Sequence, residues 1–251
     1  MSTKIEWTDE TWNPITGCTP ISEGCQNCYA KRMANRLRGR YGYPKEKPFT
    51  PAIFHPDKIG IKLFIPGKRV FLCSMGDLFH DAVNIRGDEI REVFRCMAHH
   101  DNIFILLTKR PTRMRDCIRY LYGDDFAEQM PHVWIGVTAE NQKRANERVP
   151  VLLQIPARVH FVSVEPMLGH IDLRRGFQTV NRVSSSQDFI KRNGIDWVIC
   201  GAETGPGARH MDDKWAFDLF RQCKAANVPF FFKKASKGSV LNWDKHEFPA
   251  T

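Results

Sequence analysis

Long hydrophobic runs are missing from this sequence, and their absence excludes two classes of protein. Met1 to Thr11 contains no apolar run like that of a signal peptide, and no stretch approaches the length that crosses a membrane. We therefore expect a cytoplasmic protein, in which disulfides are rare and clustered cysteines act as ligands or redox groups. With 251 residues, 42% of them hydrophobic, the chain can bury the core of a single globular domain.

A fourth cysteine is missing from the one place where cysteines cluster. Cys18, Cys25 and Cys28 are spaced C-x6-C-x2-C in a loop interrupted by Pro20, and a helical pattern begins at Tyr29. Soft sulfur ligands favour zinc, Cu(I) or iron–sulfur clusters. Structural zinc sites and ordinary iron–sulfur clusters use four protein ligands, so three thiolates leave one coordination position for a small molecule.

No second cysteine cluster is present. The other five cysteines are single residues among apolar neighbours: Cys73, Cys96, Cys117, Cys200 and Cys223. Free cysteine is among the most buried residue types, so we expect these five to be buried free thiols.

Acidic residues are outnumbered, and the excess of positive charge is unevenly distributed. The formal net charge is +9. Residues 31–47 contain seven Lys or Arg and one acid, and residues 109–119 contain five and one. These windows are either two solvated helix faces or a surface that binds a polyanion such as nucleic acid.

Apolar runs rich in Val, Ile and Phe alternate with helical patterns through most of the chain. The runs begin near residues 70, 103, 133, 159, 197 and 228, at the spacing of repeated βα units. Nearly continuous apolar strands indicate a parallel sheet covered on both faces. A further strand within Ile5–Ile15 would give six or seven units, which predicts an α/β fold. A doubly wound sheet is the alternative, and the fold that we expect is an incomplete TIM-like (βα)6 barrel of parallel strands, with or without a seventh strand.

Three local features carry further expectations. The helix that begins near Asn141 is predicted to be disrupted at Pro150, because proline removes a backbone donor. The segment Ile171–Gly194 is long for a loop and is a candidate cover for the site. From about residue 233 the chain is predicted to be a polar tail with at most one helix or hairpin.

Polar residues follow the predicted strands where the chain leaves them. In a barrel these positions share the carboxyl-end rim, where active sites are built. The alternative is that they only cap the following helices. The Glu165-Pro166 pair and glutamates at three successive exits favour a functional rim. Its residues are Ser74, Asp77, Thr108, Lys109, Thr138, Glu140, Ser163, Glu165, Glu203 and Thr204.

One glycine-bearing turn follows the strand near residue 197. Gly201-Ala-Glu-Thr-Gly-Pro-Gly207 lacks both the dinucleotide fingerprint and the lysine of a P-loop. Alone, it is a weak signal for phosphate binding.

A three-cysteine loop ahead of some six βα units resembles the radical S-adenosylmethionine superfamily, and within it an uncharacterised phage-associated family with a three-cysteine motif. In that superfamily three cysteines bind a [4Fe–4S] cluster whose fourth iron chelates S-adenosylmethionine. By motif position these are Cys18, Cys25 and Cys28. The usual spacing is C-x3-C-x2-C, whereas the first gap here is six residues.

The resemblance also implies cofactor contacts. Superfamily members usually carry Gly-Gly-Glu after the second strand, which contacts the amino group of the cofactor, and Met75-Gly76-Asp77 occupies that place. The region that meets the ribose and carboxylate, and the fifth strand that supports the adenosine, supply the rest. The implied cofactor-binding residues are Gly76, Asp77, Thr138, Glu140, Val164 and Glu165.

The implied chemistry is reductive cleavage of S-adenosylmethionine to methionine and a 5′-deoxyadenosyl radical, which abstracts hydrogen from a substrate. The electron would come from a donor such as a flavodoxin or ferredoxin. Lys109, Arg110 and Glu203 lie at the predicted mouth and are candidate substrate contacts. The adjoining basic windows make nucleic acid a candidate substrate.

Two other interpretations remain open. A zinc- or cluster-stabilised nucleic-acid-binding module without radical chemistry would take its fourth ligand from a distant residue such as His55 or His80. A hydrolase or other barrel enzyme would use the rim carboxylates, with the cysteines incidental. The three interpretations differ in metal content: four irons with sulfide, one zinc, or none.

Overall fold

Short strands alternate with helices in the computed structural model, which describes residues 3, 5–49, 52–59, 64–177, 194–241 and 243–250. In chain order the elements are β1 (Glu10–Trp12), β2 (Ile15–Thr16), α1 (Tyr29–Arg36), β3 (Ile53–Phe54), β4 (Arg69–Leu72), α2 (Asp88–Ala98), β5 (Ile103–Thr108), α3 (Pro111–Tyr122), α4 (Phe126–Gln129), β6 (Val133–Thr138), α5 (Gln142–Leu152), β7 (His160–Val164), β8 (Trp197–Gly201), α6 (Asp213–Ala225) and β9 (Phe230–Lys234). No helix in these ranges is long and apolar enough to cross a membrane.

Seven of the strands form one parallel sheet in the order β1-β4-β5-β6-β7-β8-β9. The sheet curls into a half-barrel flanked by helices, so the predicted incomplete TIM-like barrel is confirmed. Each of the six predicted runs starts within two residues of an observed strand. The seventh strand is β1, which lies inside the range Ile5–Ile15 and pairs parallel to β4. The remaining two strands, β2 and β3, form a small antiparallel ribbon beside the cysteines.

The two faces of the sheet are covered by different cores. The helices pack on the outer face, where Val93, Met114 and Leu219 join alternate strand residues in the main core. The inner face carries a second, aromatic-rich core made by Trp7, Phe71, Ile105, Trp134, Val159, Phe161, Trp197, Ile199 and Phe231. This division is the one expected of strands buried on both faces.

The C-terminal segment crosses the open side of the half-barrel. It returns antiparallel to β9 through a bridge between Phe231 and His246. The ring of Phe248 packs against Trp197 and Phe231, and the Arg69 guanidinium lies 3.9 Å from its centroid. Because Arg69 is on β4, next to the edge strand β1, and Phe231 is on the opposite edge strand β9, the tail connects the two sides of the half-barrel. The polar tail that was predicted from about residue 233 thus includes apolar residues that pack on the core.

The helix α5 differs from its prediction. It continues through Pro150 to Leu152, so the expectation that Pro150 disrupts it is wrong. Proline removes one backbone donor, but this one lies in the last turn of the helix. Val149 and Leu152 are buried on either side of it, and their burial offsets the lost hydrogen bond.

Part of the segment proposed as a cover, Ile171–Gly194, can be placed. Residues 171–177 pack beneath α6, where the Gln222 side chain accepts from the Leu173 amide and donates to the Ile171 carbonyl. Residues 178–193 lie outside the described residues. The idea that this segment covers the site therefore stays a prediction.

Close packing of the inner core predicts sensitivity at Gly136. A methyl group at this position would come within 2.5 Å of the Phe161 ring on the adjacent strand. We expect Gly136→Ala to lower the free energy of unfolding by about 1–3 kcal/mol through overpacking. The measurement is urea unfolding followed by tryptophan fluorescence. Gly169→Ala, whose added methyl would meet nothing closer than 3.8 Å, is the control. Equal stability of the two variants would contradict the prediction.

Candidate functional site

The three clustered cysteines line one cavity at the carboxyl end of the parallel sheet. Its volume is about 150 Å³, and residues following β4, β5 and β6 complete its wall. These wall residues include Ser74, Gly76, Asp77, Thr108, Lys109, Arg110 and Thr138. The cysteines and the exits of three strands, which the sequence predicted to share one rim, therefore do meet.

The backbone around Cys18 is held against the end of β4. The Gly17 amide donates to the Met75 carbonyl at 3.0 Å, and the Cys18 amide donates to the Phe49 carbonyl at 2.8 Å. A side chain at Gly76 would come within 3.0 Å of the carbonyl oxygens of Ile15 and Gly17. Gly76 is thus needed for the close approach of two backbones.

The thiols of Cys18 and Cys25 are in different electrostatic surroundings. Burial and the nearby Asp77 carboxylate raise the pKa of Cys18 to about 11. Burial also raises the pKa of Cys25, but the Lys109 charge and hydrogen bonds from Ile21 and Ser22 outweigh it, so the net shift is downward. Cys25 is therefore the more readily ionised of the two thiols.

A buried ion pair stands behind Cys18. Arg110 Nη1 lies 3.1 Å from Asp77 Oδ2, and both side chains are less than a tenth exposed. The same nitrogen donates to Cys18 Sγ at 3.4 Å, while Nη2 donates to Thr19. Asp77 also accepts from the Thr108 hydroxyl at 2.8 Å. Arg110 and Asp77 thus form an ion pair with each other, and Arg110 also binds the cysteine loop. The contact of Arg110 with substrate and that of Asp77 with the cofactor stay predictions.

Each of the three rim glutamates meets a basic residue of the chain. Glu140 is fully buried and lies 2.7 Å from Arg148. Glu165 pairs with Lys233 across the inner face of the sheet. Glu203 accepts from Arg209, which lowers the pKa of Glu203 to about 2. The rim carboxylates are therefore ionic partners within the fold.

The same carboxylates hold the cysteine loop down. Ser22 donates to Glu140, and a side chain at Gly24 would approach the Glu140 carboxylate to 2.7 Å. Asn27 donates to Glu203 at 2.8 Å. On the outside of the loop, Glu23 forms an ion pair with Arg144 at 3.0 Å. The loop consequently spans the rim from β4 to β8.

Sequence reasoning missed the basic members of these pairs. Arg144, Arg148 and Arg209 lie in stretches that look like ordinary charged surface. A weak signal existed only for Glu140 and Arg148, which are eight residues apart across the start of α5. Glu23 and Arg144 are separated by 121 residues, and no local pattern joins them.

The residues that the resemblance implied for the cofactor fall in different places. Gly76, Asp77 and Thr138 line the cavity with the cysteines. Val164 lies in the main core. Glu140 and Glu165 are in the ion pairs described above. The Thr138 hydroxyl has no protein hydrogen-bond partner within the described ranges, so it is available to a ligand.

The two histidines considered as fourth ligands are engaged at the base of the loop. His55 Nε2 lies 2.7 Å from the Thr16 hydroxyl. His80 Nε2 lies 3.0 Å from the Thr19 hydroxyl, and its Nδ1 accepts from the Ala82 amide. Burial lowers the pKa of both imidazoles, which favours their neutral forms.

Four cysteines line this cavity: Cys18, Cys25 and Cys28 of the loop, and the buried Cys73 just after β4. Burial raises the pKa of Cys73 to about 12, which disfavours its thiolate. Thiolates are ligands of zinc, Cu(I) and iron–sulfur clusters, so the three loop cysteines are the residues that could hold a metal or a cluster here. Across the part of the chain that the structure describes, no three His, Cys, Asp or Glu side chains are arranged to hold a metal ion.

Comparison with known proteins yields one match. The model of a family described as Protein of unknown function (DUF5131) matches residues 2–247. No curated protein and no solved structure matches the chain. The matching family carries no statement of activity.

The buried pair under the loop predicts a large stability effect. Arg148→Met leaves the Glu140 carboxylate unpaired in the interior, and we expect a loss of about 3–5 kcal/mol. Replacing Glu140 with Gln in the same protein removes that charge and is expected to recover much of the loss. Chemical denaturation measures both. Arg95→Met breaks the exposed pair with Glu92 and is the control, with less than about 1 kcal/mol expected. A similar loss for Arg148→Met and Arg95→Met would contradict this.

The thiol pKa shifts predict an order of reactivity in the metal-free protein. At pH 8 a thiol with a pKa of about 11 is thiolate in only about one molecule per thousand, and the thiolate is the nucleophile. We expect iodoacetamide to modify Cys25 well before Cys18, as followed by peptide mass spectrometry.

Removing the charge of Lys109 tests whether this charge is what lowers the pKa of Cys25. Lys109→Met should raise the pKa of Cys25 and slow its alkylation, because the thiolate loses its nearest cation. Lys237→Met, at an exposed site away from the loop, should change nothing. Faster modification of Cys18 than of Cys25 would refute the assignment.

Proposed function

Since the chain belongs to the family described as Protein of unknown function (DUF5131), its activity must be inferred from its own residues, and we propose that it is an iron–sulfur enzyme that reductively cleaves S-adenosylmethionine. The observation that carries the proposal is the convergence of Cys18, Cys25 and Cys28 on one cavity at the carboxyl edge of a curled parallel sheet. This edge is where barrel-type sheets hold their reacting groups.

The proposed cofactors are a [4Fe–4S] cluster and S-adenosylmethionine. Cys18, Cys25 and Cys28 would hold three irons, and S-adenosylmethionine would complete the fourth. When bound, the reduced cluster supplies the electron that splits the sulfonium into methionine and a 5′-deoxyadenosyl radical, which takes a hydrogen atom from the substrate. The electron requires a donor, for which a flavodoxin or ferredoxin is suited.

Two cationic side chains, Lys109 and Arg110, interact with the thiols of Cys25 and Cys18. Lys109 favours the thiolate of Cys25, which is the form that binds iron. Arg110 donates to Cys18 Sγ, its guanidinium is paired with Asp77, and its backbone amide donates to the Thr108 hydroxyl. Hydrogen bonds to a cluster sulfur raise its reduction potential, so Arg110 would make the cluster easier to reduce.

The cavity combines dry walls with a few polar groups. Ile21, Phe49, Phe71 and Leu107 contribute apolar surface to it. Such walls exclude water from a reactive intermediate. The Thr138 hydroxyl is one polar side-chain group that is available to the cofactor, as described above. A site of mainly apolar lining with few placed polar groups is typical of a cofactor pocket.

Metal analysis of single variants tests the proposal. After anaerobic reconstitution, wild-type protein is expected to contain four irons with sulfide and to be brown. Cys18→Ala, Cys25→Ala and Cys28→Ala should each lose most of the iron, because each removes one of three ligands. Cys96→Ala and Cys117→Ala should keep it, since these two buried thiols lie away from the cavity.

The activity arm uses dithionite and S-adenosylmethionine, with 5′-deoxyadenosine measured by chromatography. We expect product from wild-type protein and a loss of at least a hundredfold in the three cysteine variants. A full cluster after loss of any one of the three cysteines would disprove the ligand assignment. One zinc per chain without iron would instead support the nucleic-acid-binding module without radical chemistry, and absence of metal would favour the hydrolase.

A further inference from the structure

The two basic windows of the sequence differ in how their charges are used. In residues 109–119 three of the four arginines are engaged with the protein. Arg110 pairs with Asp77, and Arg113 donates to the carbonyls of Phe79 and Val83 at 2.9 and 2.6 Å. Arg115 lies 2.9 Å from Asp116. Most of this window therefore supports the fold around the site, and Arg119 is its one exposed arginine.

The window 31–47 has the opposite character. Six of its basic side chains are exposed, and none has a carboxylate partner among the residues that the structure describes: Lys31, Arg36, Arg38, Arg40, Lys45 and Lys47. The one acid in the window is the exposed Glu46. We call this region, α1 and the loop to residue 47, the α1 surface. Uncompensated charge of this density favours a polyanion.

An exposed aromatic ring stands among these cations. Tyr41 is 75% exposed and makes no ring contact with any described residue. Its φ of 53° lies in the left-handed region, which is disfavoured for a residue with a Cβ. The loop is closed beneath it, because the Gly39 amide donates to the Tyr43 carbonyl and the Tyr43 amide to the Arg40 carbonyl. The fold thus presents the ring outward on a closed turn.

The α1 surface leads directly to the cavity. Tyr29 and Lys31, in the first turn of α1, line the cavity beside Cys28. An eight-residue helix is about 12 Å long, so the far end of α1 is close enough for one extended ligand to touch both. A ligand that extends along this surface can therefore reach the cysteine loop.

We propose that the α1 surface binds a single-stranded nucleic acid and delivers it to the cysteine cavity. This inference rests on the proposed function and names the class of its substrate. Arg36, Arg38 and Arg40 contact phosphates, and a base stacks on Tyr41. Exposed aromatic rings among unpaired cations are the combination that binds single strands. A duplex hides its base faces from such a ring, so the exposed Tyr41 favours a single strand over a duplex.

The test measures binding of a fluorescein-labelled 20-nucleotide single strand by anisotropy, between 50 and 200 mM salt, with the full chain. Each phosphate contact to a single strand contributes about 0.7 to the slope of log affinity against log salt. Combining Arg36→Gln, Arg38→Gln and Arg40→Gln should therefore reduce that slope by up to about two. The control combines Arg86→Gln, Arg91→Gln and Arg95→Gln, three exposed arginines near α2, with the same change in net charge. It should leave the slope nearly unchanged.

The aromatic contribution is tested separately. Tyr41→Ala should weaken binding by about five- to a hundredfold at every salt concentration. The loss does not depend on salt because the variant removes the stacked base and keeps every phosphate contact. Tyr41→Phe keeps the ring and should bind like wild type. Equal weakening in Tyr41→Ala and Tyr41→Phe would overturn the stacking contact.

Three results would overturn the proposal as a whole. The first is no binding of the strand at 50 mM salt. The second is an equal effect of the two triple variants on the salt slope, and the third is tighter binding of a duplex than of the single strand. Binding of flavodoxin or ferredoxin that the α1 variant abolishes, without oligonucleotide binding, would assign the surface to the electron donor. Iron content is measured in every variant. A full cluster without strand binding refutes only the substrate class, and strand binding without a cluster refutes only the proposed function.

Discussion

The position of the cysteine loop depends on buried ion pairs rather than on secondary structure. A glutamate at the exit of β6 and an aspartate after β4 each hold an arginine in the interior, and Ser22 and Cys18 bond to these pairs. A buried charge is costly unless it is paired, so each carboxylate and its base fix one another. Hydrogen bonds from the loop to these pairs therefore fix the position of the loop. Three thiols can therefore be held around one cavity although only a 3-10 turn at Glu23–Cys25 is regular.

The sheet could be predicted because its strands carry their own signal. Runs such as Ile103–Thr108 and Val133–Thr138 carry no polar side chain before their final threonine, and burial on both faces makes that pattern nearly unavoidable. The convergence of strand exits followed from the parallel topology. The partners of the carboxylates at the strand exits could not be predicted. Glu203 looks the same in the sequence whether it binds a ligand or accepts hydrogen bonds from Arg209 and Asn27. Pro150 fails as a helix breaker for a related reason: the local cost was visible, whereas the burial that offsets it was not.

Charge shows the same limit. The two basic windows are alike when residues are counted, yet Arg110 and Arg113 meet acceptors from the β4–α2 connection. Arg36 and Arg40 are exposed, and the side-chain hydrogen bond between them is local, from the Arg40 guanidinium to the Arg36 carbonyl. The acceptors lie about thirty residues away in the chain, so no count within a window can find them. What distinguishes a binding surface from a structural one is the absence of partners, and this is a property of the fold.

The shape of the half-barrel links these observations. Its inner face is filled by aromatic side chains, and Phe248 bridges β4 to β9 across the open side. Phe71 and Leu107 accordingly contribute apolar surface to the wall of the cysteine cavity. In a medium of low dielectric the contacts of Lys109 with Cys25 and of Arg110 with Cys18 are stronger than they would be in water. The first turn of α1 lines the same cavity through Tyr29 and Lys31, and the exposed cations of the α1 surface follow along the chain. Because the carboxyl ends of parallel strands meet at one edge of a sheet, the curled sheet brings the cysteines, the apolar wall and the start of α1 together there.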